Sequence, residues 1–233
     1  MRWAGTLVAV ALAVSPVAAG AQSLAVSPTT IDVPAGKHGA VMQITNTMTT
    51  PVDVQVRPYD WHQAEGKDVL TDSTTLRVSP SIVTIPAGST QLLRMLIPAG
   101  ERGVEGDWRV VVDQLPRPAS GGGLQIRLRL SIPVFARAAT SAPADVRWSL
   151  RGGQLEAVNA GLKHVRFATL ELRPATGAAT TLPLGESPYL LPGTRRAWTV
   201  TTTPATLSVA GTWIAERAGA TAFVAPVALD RVR

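Results

Sequence analysis

Beyond the first twenty-odd residues, almost every patterned segment is a short run rich in Val, Thr and Ile, closed by Pro or Gly. Eighteen prolines and 20 glycines leave no long stretch with the 3.6-residue apolar period of a helix. Strand-sized runs with turn residues at close intervals are the signature of a sandwich or barrel. Residues 24–33 read as one strand interrupted at Pro28, with Pro34-Ala35-Gly36 turning the chain. Residues 40–45 form the next, and 52–57 alternate strictly between apolar and polar. His62, beside Asp60 and Trp61, reads as a polar loop end after that strand. Runs at 76–78, 82–85, 91–97, 108–113 and 124–132 complete the set that an immunoglobulin-like sandwich needs.

Residues 136–143 are small and unpatterned, as expected of a hinge. Six more runs follow, at 146–150, 155–159, 165–172, 197–201, 211–215 and 223–229. The expected fold class is therefore all-β, with two sandwich domains, at 22–138 and 139–233. Residues 1–21 read as a signal peptide: Arg2, an apolar run over 7–14, a break at Ser15-Pro16, and the small-x-small site Ala19-Gly20-Ala21. The apolar run is well short of the ~20 residues that cross a bilayer, so no integral membrane span is expected in the mature chain.

Composition excludes several chemistries. With no cysteine there is no disulfide framework, thiolate metal site or Cys nucleophile. Three histidines leave little room for a His-based metal site or triad, and none has a ligand partner at a useful spacing. No nucleophile elbow, phosphate loop or metalloprotease motif occurs. Gly121-Gly122-Gly123 lacks the Lys-Ser/Thr of a phosphate loop and opens a strand. An enzyme is thus disfavoured, and neither metal nor cofactor is expected. The net charge of +6 comes from scattered arginines with no basic tract, so nucleic acid is not an expected partner.

One segment stands apart. From Leu124 to Val134, Leu124, Ile126, Leu128, Leu130, Ile132 and Val134 fall at every second place, with Gln125, Arg127, Arg129 and Ser131 between them. In a strand this puts a row of aliphatics on one face and a polar row on the other. As the last strand before the hinge it is expected at a sheet edge, where backbone groups stay unpaired. Two readings fit: an ordinary core strand, or a strand to which a partner adds.

The ordered series Leu24-Ala25-Val26-Ser27-Pro28, Ile44-Thr45-Asn46, 54–61 with Pro58-Tyr59-Asp60-Trp61, Val78-Ser79-Pro80, Ile85-Pro86-Ala87-Gly88, Gln91-Leu92-Leu93-Arg94, Trp108-Arg109-Val110, Asp113-Gln114-Leu115-Pro116 and Leu130-Ser131-Ile132-Pro133-Val134-Phe135 resembles the PapD-like pilus-assembly chaperones. The Trp61 region and Ile132-Pro133-Val134-Phe135 are most similar to the archaic branch, associated with Csu and spore-coat-U-like pili. In the second half, 155–161 and Leu190-Leu191-Pro192-Gly193 fit the same family. The resemblance implies two immunoglobulin-like domains in a boomerang. It also implies a periplasmic chaperone without cofactors that completes pilus subunits by donor-strand complementation and delivers them to an outer-membrane usher. The implied donor residues are Leu124, Ile126, Leu128 and Leu130. The two basic residues that usually grip a subunit's C-terminal carboxylate are replaced by Thr30 and Pro133. Arg109 and Arg137 are the candidate substitutes, each also readable as a plain salt-bridge residue. Arg127 and Arg129, on the face opposite the aliphatics, read as solubilising. A monomer, or a dimer that caps its own edge, is expected in the free state. The competing reading is a structural or adhesive surface sandwich, which would carry its alternating strand at the N-terminus.

Overall fold

The protein's structure is a computed structural model that describes residues 23–98, 103–116, 126–139, 143–200, 207–215 and 219–229. Every regular element among them is a strand. The first ten are β1 (Leu24–Ser27), β2 (Ile31–Val33), β3 (Gly39–Asn46), β4 (Val52–Ala64), β5 (Lys67–Asp72), β6 (Arg77–Ser79), β7 (Ile82–Ile85), β8 (Thr90–Leu96), β9 (Gly106–Gln114) and β10 (Arg129–Ala136). They form two sheets, ordered β1-β3-β8-β6 and β2-β10-β9-β4-β5, with β7 also paired to β4. Alternate residues of each sheet meet in one core: Met42, Ile44, Leu93 and Met95 against Val54, Val56, Val110, Val112, Ile132 and Val134.

Pro28 determines how much of β10 is covered. Proline has no N–H and cannot continue a ladder. The chain leaves β3 at Ser27 and rejoins the other sheet at Ile31, parallel to β10. The three residues of β2 meet only Val134, Phe135 and Ala136.

Between β4 and β5, Glu65 and Gly66 both take positive φ, 52° and 74°. Two consecutive left-handed residues make the tight hairpin turn whose twist matches its strands. His62 therefore lies inside β4, exposed and opposite Val69, and is not the loop end expected.

The second half holds β11 (Val146–Arg151), β12 (Gln154–Asn159), β13 (Val165–Pro174), β14 (Thr180–Thr181), β15 (Tyr189–Leu190), β16 (Arg195–Thr199), β17 (Leu207–Ala215) and β18 (Gly219–Leu229). They follow one hydrogen-bonded path, β14-β13-β17-β18-β11-β12-β16, folded over a core of Trp148, Leu155, Phe167, Leu170, Trp198 and Val209. The fold closes at β18, which runs antiparallel to β17 up to Pro226 and then parallel to β11 from Val227.

The two halves share a device that the sequence does not announce. Asn46 and Asn159 are fully buried at the ends of β3 and β12. The amide of Asn46 donates to the carbonyls of Thr50 and Ile85, and that of Asn159 to Lys163 and Leu190. Each side-chain oxygen accepts the N–H two residues on, from Met48 or Gly161. One side chain thus satisfies several buried backbone groups at an equivalent corner of each sandwich. At the second corner only glycine fits, since a Cβ at Gly161 would lie 2.4 Å from the Asp145 nitrogen.

Candidate functional site

The alternating segment becomes β10 only from Arg129 onward. Residues 126–128 lack strand geometry, and Leu128 is tied to the end of β9 by a bond from the Gln114 amide to its carbonyl (2.9 Å). That bond sets the phase of the ladder. Leu128, Leu130 and Ile132 turn their backbone groups toward β9, so Arg129, Ser131 and Pro133 turn theirs to the opposite flank. Among the described residues no strand pairs with that flank before the Pro133 carbonyl, where the parallel ladder with β2 starts. Pro133 sits at the limit of the open stretch, where its missing N–H forfeits no ladder bond.

The aliphatic row is graded along the same segment. Ile132 and Val134 are buried, Leu130 and Leu128 are half-buried against the first core, and Ile126 is 74% exposed. Leu124 lies outside the described residues. The opposite face is charged. Asp113 of β9 accepts from Arg57 of β4 (2.7 Å) and Arg129 of β10 (2.5 Å), bridging three strands. Burial pushes the Asp113 carboxyl up, but the bonds from Arg129 and Arg57 outweigh it and hold the group below the usual Asp range. An open groove of about 600 Å³ runs past these residues to Arg127 and Leu128.

Arg109 lies opposite Pro133 in the β9–β10 register, on the face away from the aliphatic row. Its guanidinium stacks on the Trp61 ring (3.8 Å to the centroid), sits 5.2 Å from that of Tyr189 and reaches Asp68 at 3.5 Å. Burial lowers its pKa, with Asp68 opposing the shift and the like charge of Arg166 adding to it. Arg137 follows the end of β10 and makes a two-pronged pair with Asp32 of β2. Each candidate anchor therefore meets a carboxylate of its own chain, and Arg109 holds its partner more loosely. Thr30 lies half-buried between β1 and β2.

Arg109 borders the contact between the two sandwiches. Trp61 and Phe135 from the first half pack with Tyr189 and Leu191 from the second. Gln63 of β4 clamps the same contact. Its amide donates to the Tyr189 carbonyl (3.0 Å), and its oxygen accepts from the Leu191 amide and the Thr194 hydroxyl. Sequence reading passes over Gln63 and Glu105 and gives His164 no partner, although all three hold this contact. Their partners lie 59 to 131 positions away, beyond the reach of any local pattern.

Residues 23–141 match the model of the pili and flagellar-assembly chaperone family, PapD N-terminal domain. The chain belongs to that chaperone family. The family expected from the sequence is thus the one matched, and with it the all-β, two-sandwich fold. No curated protein matches the chain. Solved structures do. A chain of the CsuC–CsuE chaperone–tip adhesion subunit pre-assembly complex, from the archaic chaperone-usher Csu pili of Acinetobacter baumannii, is 21% identical with a TM-score of 0.69. The match covers 90% of this chaperone-family chain and 100% of that one. The Salmonella enterica SafA pilin–SafB chaperone complex gives 16% identity and a TM-score of 0.69 over 90% and 98% of the two chains. The Pseudomonas aeruginosa CupB2 chaperone gives 16% and 0.62 over 86% and 99%. At these identities the likeness is one of fold.

Proposed function

We propose that this chain is a periplasmic chaperone of the archaic type that stabilises pilus subunits by donor-strand complementation and passes them to an outer-membrane usher. The observation that carries this reading is the open flank of residues 129–132, continuous with an aliphatic row that emerges from the core toward Ile126. An incoming strand would pair with the outward backbone groups of Arg129 and Ser131. The knobs Leu124, Ile126, Leu128 and Leu130 would complete the guest's core. Burying an exposed aliphatic contributes roughly 1.5–3 kcal/mol before ordering costs. Leu128 and Leu130 are already half-buried, so Ile126 has the most apolar surface left to bury. The complexes of CsuC with CsuE and of SafB with SafA support a pilus subunit as the guest.

Of the two anchor candidates we favour Arg109. Its single 3.5 Å contact with Asp68 leaves donors of the planar fork for a carboxylate, whereas Arg137 is engaged by Asp32 at Nε and Nη2. The reading also includes export by residues 1–21 and a free state that is monomeric or a self-capped dimer. The test is co-expression with candidate subunits and recovery of the complex from the periplasmic fraction. Replacing Ile126 and Leu128 together by Asp abolishes the complex while far-UV circular dichroism stays unchanged. Subunit binding retained by the folded double variant would remove the donor-strand assignment.

A further inference from the structure

The charged face beside the open edge of β10 is out of balance. The groove on that face is lined by three arginines, Arg57, Arg127 and Arg129, and by one carboxylate, Asp113. Both Asp113 oxygens are taken: Oδ2 accepts from Arg57 at 2.7 Å and Oδ1 from Arg129 at 2.5 Å. Asp53, two residues before Gln55 on the same face of β4, accepts from the Thr84 hydroxyl at 2.5 Å. Arg127 is exposed, and among the described residues no carboxylate pairs with it. Asp113 engages Arg129 through Nε, which leaves the terminal nitrogens of that guanidinium for a second acceptor. Arg57 Nε is buried with no hydrogen-bond partner among the described residues. The groove thus carries an excess of positive charge whose donors are only partly spent.

That excess lies where an added strand would arrive. Neighbouring strands of a sheet share one pleat, so directly opposed residues point to the same face. The open backbone groups of β10 belong to Arg129 and Ser131, whose side chains point away from Leu130 and Ile132. A guest residue set opposite Arg129 therefore stands beside the groove, while its neighbours in sequence stand over the aliphatic row. Arg127 borders the same groove, although 126–128 lack strand geometry. With its donors uncommitted, its guanidinium can take a carboxylate without breaking a bond within its own chain.

We propose that the groove lined by Arg57, Arg127 and Arg129 selects pilus subunits whose β10-pairing strand carries Asp or Glu on the face turned away from the subunit's core, opposite Arg129 and beside Arg127. The proposal rests on the donor-strand reading and adds a charge rule to it. The aliphatic row fills the guest's core, and the arginines discriminate among guest strands that would fill it equally well. Opposite charges directly across a strand pair attract, and like charges there are destabilising. A guest strand with Lys or Arg at that place meets cations that Asp113 alone does not neutralise. Arg127 and Arg129 are on this account recognition residues, where their exposure alone suggested solubility.

The probe is the subunit recovered with the chaperone by co-expression. Arg127→Lys keeps the charge and puts a primary amine at the rim of the groove, and a zero-length carbodiimide joins an amine only to a carboxylate in contact with it. Mass spectrometry of the treated complex is expected to find position 127 linked to an Asp or Glu of the subunit strand that pairs with β10. Arg127→Glu, at an exposed residue outside the described ion pairs, is expected to weaken the complex about tenfold in ~50 mM salt and by less than about twofold in ~500 mM salt, where the charges are screened. Changing the linked subunit carboxylate to Lys restores binding to the Arg127→Glu chain. A complex that forms but gives no such link, or one that Arg127→Glu leaves unchanged at low salt, overturns the charge rule and leaves strand donation standing. Failure to recover any subunit, or equal binding after Ile126→Asp with Leu128→Asp, overturns the donor-strand reading and the charge rule with it.

Discussion

The leading and trailing halves of β10 share one strand, one sequence pattern and one neighbour in β9, yet their surroundings are opposite. Residues 134–136 lie between β9 and β2, and Phe135 is fully buried against Trp61, His164 and Tyr189. Residues 129–132 have β9 on one side and no described strand on the other. The difference traces to Pro28, which splits the first strand so that only a three-residue piece reaches β10. A strand can thus be fixed at one end and offered at the other. Under the proposed function, the fixed end would set the angle and register of the offered one, so that less entropy would be lost when a guest strand docked.

The sharpest way to break this comparison is to strip each half in turn. Phe135→Ala empties a site at the sandwich contact and is expected to cost about 3–5 kcal/mol in denaturant unfolding. Ile126→Asp, at a residue 74% exposed, is expected to leave stability within about 0.5 kcal/mol. Equal losses from the two changes would mean that the halves do not differ as described.

The polar face offers a finer test with a smaller effect. Arg129 and Arg57 hold the Asp113 carboxyl below its usual range. A depressed folded-state pKa gives stability that is present above the ordinary Asp range and lost as pH falls through the lower value. Arg129 is largely exposed, so solvent screening limits its pair with Asp113 to no more than about 1 kcal/mol. Thermal melting from neutral to acid pH should fall less steeply in Asp113→Asn than in the natural chain. Identical acid profiles would show that the three-strand bridge adds nothing to the leading half.

The sequence made the strands legible where a strand has one buried face. The run at 108–113 lies within β9, that at 40–45 within β3, and the break at Pro28 marks the division of β1 from β2. It concealed β5, whose Lys67-Asp68-Val69-Leu70-Thr71-Asp72 has no buried row because it is the edge strand of its sheet. The alternation of residues 124–134 indicated which side chains share a face. It could not say where strand geometry starts, because side-chain period carries no information about a neighbour's backbone; β10 begins at Arg129. The Glu105–His164 pair was illegible for another reason. Each residue is unremarkable in its own segment, and only the packing of two sandwiches brings them together. Arg109 was legible as a neighbour of the alternating segment, but its stacking on Trp61 and Tyr189 depends on that same packing.

The central claim concerns the open flank of residues 129–132, and amide hydrogen exchange at neutral pH reads it residue by residue. In the free chaperone the Arg129 and Ser131 amides are expected to exchange quickly and those of Leu130 and Ile132 slowly, because only the latter pair face β9. On binding a pilus subunit, Arg129 and Ser131 should become protected while Leu130 and Ile132 change little. Arg129 and Ser131 already protected in the free monomer, or still exchanging quickly within a purified complex, would contradict donation of this strand.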